Sequence, residues 1–364
     1  MKILVMTRHA VSNYGSFLQA LATRLLLEDM GHAVTVADYL RADEHPVRCW
    51  RLEADRKEMR GAKRALFGVA SFFSDLLSFA RFKGFRQRHL TLSPRCTNTH
   101  ELALIPADLL LSGSDQLWGP IGKDAFDPNY FLDFGNQPRV AYSSSFGRRV
   151  PEDAARIGEL LRAYDALGVR ENSAVEIVRR LSGREATQVL DPVLMLERER
   201  WAPYFRKCRK RPFVLLYSLH NNPDMARFAK EYAARCGLPL VKVTTSALDA
   251  VRRRGTLLPH FGKFLALIDQ AECMITDSFH GTAFAIDFHT DFIEFLPGET
   301  ATRNQSLLQL VGLESRIVTD ADDFRLLGVK IDFSQADAAL DRAREISRAY
   351  LERALSVGEG EVEK

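Results

Sequence analysis

The run Cys273-Met274-Ile275-Thr276-Asp277-Ser278-Phe279-His280-Gly281-Thr282 carries the densest chemistry in the chain. A short apolar strand pattern leads into a polar turn with one histidine, and Gly-Thr then opens a helical pattern. Such a turn aims backbone N–H groups and the positive end of a helix dipole at whatever lies beyond the strand, which suits an anion. His280 is able to give or take a proton near neutral pH, while Asp277 orients it or caps the helix. On spacing alone, an internally satisfied histidine beside a capping aspartate fits equally well.

Four more segments have the same strand-end character. Ser12-Asn13-Tyr14-Gly15-Ser16 is small and polar, so backbone can approach a ligand closely, yet it matches neither GxGxxG nor a P-loop, and a tight turn alone explains its glycine. Gly113-Ser114-Asp115-Gln116-Leu117-Trp118 offers hydrogen-bonding groups and an aromatic face that suit a sugar; the alternative is an ordinary Asx turn with a core tryptophan. Ser143-Ser144-Ser145 ends an apolar run with three hydroxyls, and Arg170 follows Gly168-Val169. An arginine fork there could hold a carboxylate or phosphate, and a pair with Glu171 is the plainer use.

The elements that must position these residues alternate regularly. Residues 3–6 read as a buried strand, 17–30 as a helix closed by Gly31, and 33–38 as a second strand, together a βαβ unit. Buried runs at 107–111, 140–143, 167–169 and 189–190 continue the series. A second series starts at 213–217 and runs through strands at 240–243, 273–276 and 292–295 with helices between them. The pattern implies an α/β protein of two doubly wound Rossmann-like domains, residues 1–196 and 212–333, their ligand ends facing a central cleft. A charge-rich linker at 197–211 containing Pro203, a C-terminal helix within 334–357 and a frayed tail at 358–364 complete the expectation.

Composition narrows the function classes. The 364 residues are 46% hydrophobic and 27% charged, with 50 Lys or Arg against 47 Asp or Glu, a formal charge of +3. Disorder and disulfide-built scaffolds are excluded, and the overall balance gives no reason to expect nucleic acid. Cys49, Cys96, Cys208, Cys236 and Cys273 are scattered without a CxxC pair, as expected of reduced cytoplasmic thiols, and no metal-ligand cluster is visible. No stretch approaches the roughly 20 apolar residues that cross a bilayer.

Taken together and in order, Tyr14-Gly15-Ser16-Phe17-Leu18-Gln19-Ala20, Gly113 to Trp118, Ala141-Tyr142-Ser143-Ser144-Ser145-Phe146-Gly147, Val169-Arg170-Glu171, Leu190-Asp191-Pro192 and Thr276 to Thr282 resemble the polysaccharide pyruvyl transferase family over about residues 1–316. The resemblance implies a glycosyltransferase-B-like pair of domains and a reaction in which phosphoenolpyruvate gives a pyruvyl ketal to two hydroxyls of a sugar in a cell-surface polysaccharide, or in its polyprenyl-linked precursor. It implies no cofactor beyond that co-substrate. By position it assigns proton transfer to His280 and donor contact to Arg170. The strand-end reading adds Asp277 beside the histidine, Ser278, Phe279, Gly281, Thr282 and Arg303 on the donor side, and Asn13, Tyr14, Gly15, Ser16, Gln19, Ser114, Asp115, Gln116, Trp118 and Ser145 on the acceptor side. Many members carry arginine two residues before the histidine, where this chain has Ser278; donor charge must then be met by Arg170, Arg303 and the helix start at Gly281. A nucleotide-sugar glycosyltransferase and a non-catalytic glycan-binding protein are the alternatives.

Residues 45–95 stand apart. They hold twelve Lys or Arg against four Asp or Glu, with Phe67, Phe72, Phe73, Phe79, Phe82 and Phe85 interleaved. A basic, aromatic helical insertion of this kind suits the inner face of the plasma membrane, and an ordinary insertion with core phenylalanines fits as well.

Overall fold

In this computed structural model the described residues are 1–358 apart from 42–43, 45–59, 122–124, 148–149, 151, 209–210, 221, 254 and 299–300. They form two units, one of Met1–Met195 with the segment that begins at Ala343, the other Leu196–Arg342.

The first unit is built on β1 (Lys2–Met6), β2 (Ala33–Tyr39), β3 (Leu92–Cys96), β4 (Leu109–Ser112), β5 (Arg139–Ser144), β6 (Ala166–Val169) and β7 (Thr187–Gln188). Their order is β3-β2-β1-β4-β5-β6-β7 with every neighbour parallel. Strand order reverses between β1 and β4, so the loops after those strands lie at the switch point where such sheets take ligands. Val5 stands opposite both Val36 and Leu111, and β4 is buried along its whole length, which explains its unbroken apolar run.

Helix α1 (Tyr14–Asp29) starts three residues before the expected Phe17, because Asn13 caps it by accepting the Gly15 N–H at 2.8 Å. Within the basic insertion, α2 (Gly61–His89) is one continuous helix, while residues 45–59 lie outside the described residues. Helices α3 (Ala154–Arg162) and α4 (Asn172–Ser182) follow with clean amphipathic faces. The edge strand β3 contains Pro94, whose missing N–H is tolerated only at an edge.

The second unit orders β10 (Thr256–Leu257), β9 (Leu240–Val243), β8 (Val214–Tyr217), β11 (Cys273–Thr276) and β12 (Phe292–Glu294) as an all-parallel sheet, with its switch point between β8 and β11. Helices α5 (Pro223–Arg235), α6 (Phe261–Asp269), α7 (Phe279–Asp287) and α8 (Ala301–Val311) accompany it. The segment expected as linker begins with helical turns at Arg198–Trp201 and Ala202–Tyr204 that belong to this unit. Trp201 is fully buried there, edge-on to Phe284.

Helix α9 (Ser334–Leu355) begins in the second unit and ends in the first. In the first unit the Tyr350 hydroxyl donates to the Ala141 carbonyl at 2.7 Å, and a Cβ on Gly168 would lie 2.7 Å from the Tyr350 ring. Close passage of this helix is therefore what requires glycine in β6. The Leu190 N–H donates to Ser347 Oγ at 2.9 Å on the same helix. Of the tail, residues 359–364 lie outside the described residues.

Candidate active site

At the carboxyl ends of β1, β4, β5 and β6 a polar cluster is buried in the first unit. Arg170 is its cation, with a side chain only 2% exposed. Its Nη1 donates to Asp191 Oδ2 at 2.8 Å and its Nη2 reaches Asp115 Oδ1 at 3.5 Å, while Glu171 stands 4.0 Å from Nε. Burial works to lower the guanidinium pKa, but Asp191, Asp115 and Glu171 outweigh it and hold the group above its ordinary value. One cation faces three carboxylates, so its charge is already met by its own chain. That is a different use from the donor-anion contact expected of it.

Hydroxyls and amides extend the cluster. Ser16 Oγ donates to Asp115 Oδ2 at 2.8 Å, and Ser114 Oγ donates to Asp191 Oδ2 at 3.0 Å. Gln19 accepts the Ser114 N–H and donates to Thr7 Oγ1, so the switch-point loops after β1 and β4 are tied together. Ser145 Oγ donates to Glu171 Oε1 at 2.9 Å and accepts the Gly147 N–H at 3.0 Å. Asp115 and Ser143 both adopt positive φ, at 85° and 57°, in the loops that carry this network.

Of the expected acceptor residues, Ser16, Gln19, Ser114, Asp115 and Ser145 are thus brought together. Asn13 serves as helix cap with Gly15 as its donor, and Gln116 is half-buried. Two others take a different place. Trp118 is fully buried, stacked on Phe131 with ring centroids 5.5 Å apart, so it is core and offers no open face to a sugar. Tyr14 is fully buried against Phe82, and burial pushes its hydroxyl pKa far up.

The second unit holds the histidine cluster. Ser278 caps α7, its Oγ accepting the Gly281 N–H at 3.2 Å, so of the two uses open to Asp277 the cap falls to its neighbour. Asp277, 1% exposed, instead gathers the loop after β8: it accepts the Leu219 N–H at 2.7 Å, the His220 N–H at 3.0 Å and the Ser218 hydroxyl at 3.3 Å. His220 Nδ1 lies 3.4 Å from the same carboxylate. His280 sits in the first turn of α7, 7% exposed and edge-on to Phe279 at 5.2 Å, and the Arg303 guanidinium lies 5.9 Å from the Phe279 ring centroid. Gly281 is required by packing: a Cβ would meet Met274 Cε at 2.6 Å and Thr276 Oγ1 at 2.9 Å.

Behind this turn Glu294 is fully buried. It accepts from the Thr282 hydroxyl and from Asn304 Nδ2. Burial drives its carboxyl pKa well up, against those two hydrogen bonds and with help from the Asp277 charge. The sequence reading passed over Glu294 and Asn304. The available signal was one acid in the apolar run Phe292-Ile293-Glu294-Phe295, which persists only if partnered. Asp191 appeared only within a motif, and its pairing with Arg170 needed the sheet. Among the described residues no group of three or more His, Cys, Asp or Glu is placed to hold a metal ion.

Two parallel, doubly wound sheets with polar clusters at their switch points define an α/β protein of the class whose ligand sites lie at strand carboxyl ends. A sequence model of the polysaccharide pyruvyl transferase family matches residues 13–295, and the chain belongs to that family of transferases. No curated protein matches it. Similar solved structures include the glycosyltransferase SnogD from Streptomyces nogalater (14% identity, 98% of each chain, TM-score 0.42). Also similar are MurG of Acinetobacter baumannii (12%, 98% of this chain and 99% of that one, 0.43) and the UDP-GlcNAc 2-epimerase of Methanocaldococcus jannaschii (11%, 93% and 91%, 0.44).

Proposed function

We propose that the protein transfers a pyruvyl group from phosphoenolpyruvate to two hydroxyls of a sugar in a cell-surface polysaccharide or its lipid-linked precursor, with His280 moving the proton. The observation that carries this reading is the family match across residues 13–295, which takes in His280 and the Ser278–Thr282 turn. His280 as imidazolium gives its proton to the donor's methylene carbon, which becomes a methyl group. The adjacent carbon takes up positive charge, the first sugar hydroxyl bonds to it, the carbon–oxygen bond to phosphate breaks, and the second hydroxyl closes the ketal. Of the two hydroxyl protons, one restores His280 and the other leaves with phosphate.

Arg303 and the N–H groups at the start of α7 supply positive potential for the donor's carboxylate and phosphate. Arg170 acts instead as the positioning cation that holds Asp115 and Asp191 where an acceptor hydroxyl could meet them. Phosphate release from phosphoenolpyruvate in the presence of a glycan acceptor tests the reading. His280→Ala is expected to lose at least about 100-fold in turnover while keeping its melting temperature. Wild-type turnover in that variant removes His280 from the step. Stabilisation by a nucleotide sugar but not by phosphoenolpyruvate replaces the reaction with glycosyl transfer.

A further inference from the structure

Helix α2 takes no part in either cluster, and its two faces differ sharply. Over its 29 residues it holds six Lys or Arg and a single acid, Asp75. One face is buried on the first unit: Phe82 packs on Tyr14 with centroids 5.2 Å apart, Phe85 on Phe17 at 5.7 Å, and Arg86 Nη1 donates to the Ala10 carbonyl at 2.9 Å. The opposite face carries Val69, Phe73, Leu76 and Leu77, exposed by 59%, 61%, 43% and 63%. At about 100° per residue these four fall in a stripe roughly 100° wide centred near Phe73, which exposed Ala80 extends by a further turn.

The cations frame that stripe. On the same wheel the exposed Arg81 and Lys83 project about 80° to its two sides and exposed Arg88 about 60°, while Asp75 points almost directly away. Contiguous large apolar side chains of this kind mark an interaction surface. The edge cations select its partner. A second copy of α2 laid against the stripe would bring Arg81, Lys83 and Arg88 together, with the helix's one acid on the far side. A negatively charged surface with an apolar interior answers both the stripe and its edges. No helix among the described residues is long and apolar enough to cross a membrane, so the helix must lie along that surface.

We propose that α2 docks flat on an anionic lipid bilayer, with Val69, Phe73, Leu76 and Leu77 at the acyl boundary and Arg81, Lys83 and Arg88 on lipid phosphates. This goes beyond the catalytic reading and stands or falls without it.

The test is sedimentation of the full chain with phosphatidylcholine vesicles, with and without phosphatidylglycerol. The wild type is expected to sediment with the anionic vesicles, more weakly as salt is raised, and poorly with the neutral ones. Neutralising Arg81, Lys83 and Arg88 to Gln lowers affinity by about fivefold per charge, roughly 100-fold in all. Phe73→Ser with Leu77→Ser lowers it by at least about tenfold, and because both side chains are exposed the melting temperature stays near that of the wild type. Failure of the wild type to bind anionic vesicles overturns the proposal, as does unchanged binding by the serine variant. A dimer in gel filtration that the serine variant converts to monomer overturns it too, by making a second copy the occupant.

Discussion

Arg170→Met is the sharpest probe of the first unit, because it removes the cation that Asp115, Asp191 and Glu171 share and leaves those carboxylates to face one another. The Asp191 contact at 2.8 Å joins two side chains exposed by 2% and 0%, so water cannot take over the lost partner. Breaking a buried pair in this way costs about 3–5 kcal/mol. Asp115, the most exposed of the three at 10%, recovers some hydration, which favours the lower half of that range. For a unit of this size each kcal/mol moves the melting temperature by about 2–4 °C, so a fall of roughly 6–15 °C is expected by calorimetry. The pH dependence supplies an internal control. Orphaned carboxylates bind protons more tightly in the folded state than in the unfolded one. The deficit of Arg170→Met against the wild type is therefore small below the unfolded carboxyl range near 4 and grows as pH rises to neutrality. Arg170→Lys keeps the charge but not the fork, and should recover part of the loss at neutral pH. A variant within about 1 kcal/mol of wild type at pH 7.5, or a deficit that does not change with pH, would refute the account of Arg170 as the counter-ion of this cluster.

Glu294→Gln should flatten the pH profile of the second unit. The folded carboxyl pKa of Glu294 is raised by burial, so its contribution is complete below the unfolded value near 4.3 and is lost as pH climbs through the folded value. Urea titrations at pH 5 and pH 8 should show the wild type losing stability relative to the variant, and parallel profiles would count against a buried neutral acid. Ser278→Ala removes the α7 cap and should cost about 1 kcal/mol in the same assay, with a larger effect on phosphate release if the turn holds the donor. A null effect on both would leave Ser278 without a role in the turn.

Much of the architecture could be read from local pattern. β1, α1 and β2 are announced by a buried apolar run, a periodic helix and Gly31 at positive φ, and α7 by a strand that breaks into Ser-Phe-His-Gly. β3 escaped because Pro94 and Arg95 deny the look of a strand, which an edge position permits. Inside the candidate site, residue types were legible and partners were not. Arg170 stands at a strand end, as its position after Val169 suggests. Yet its closest carboxylate is 21 residues away and another is 55 away, brought in by parallel neighbours that no local pattern encodes. Trp118 beside Ser114 and Asp115 reads equally well as a sugar platform or as core, and only the packing of Phe131, Phe146 and Tyr164 around it decides. The cap of α7, which Asp277 could have supplied, falls to Ser278 because the loop after β8 claims the aspartate.

The path of α9 bears on how the chain is made. Residues 1–195 lack Ser347 and Tyr350 until synthesis has passed residue 350, so Leu190 and the Ala141 carbonyl wait for their partners. At about 5–20 residues per second the interval from residue 195 to residue 350 is on the order of 10–30 s. The second unit, Leu196–Arg342, is contiguous and suffers no such delay. Birth order on the ribosome and order of completion are therefore reversed: the half that emerges first is the half that finishes last.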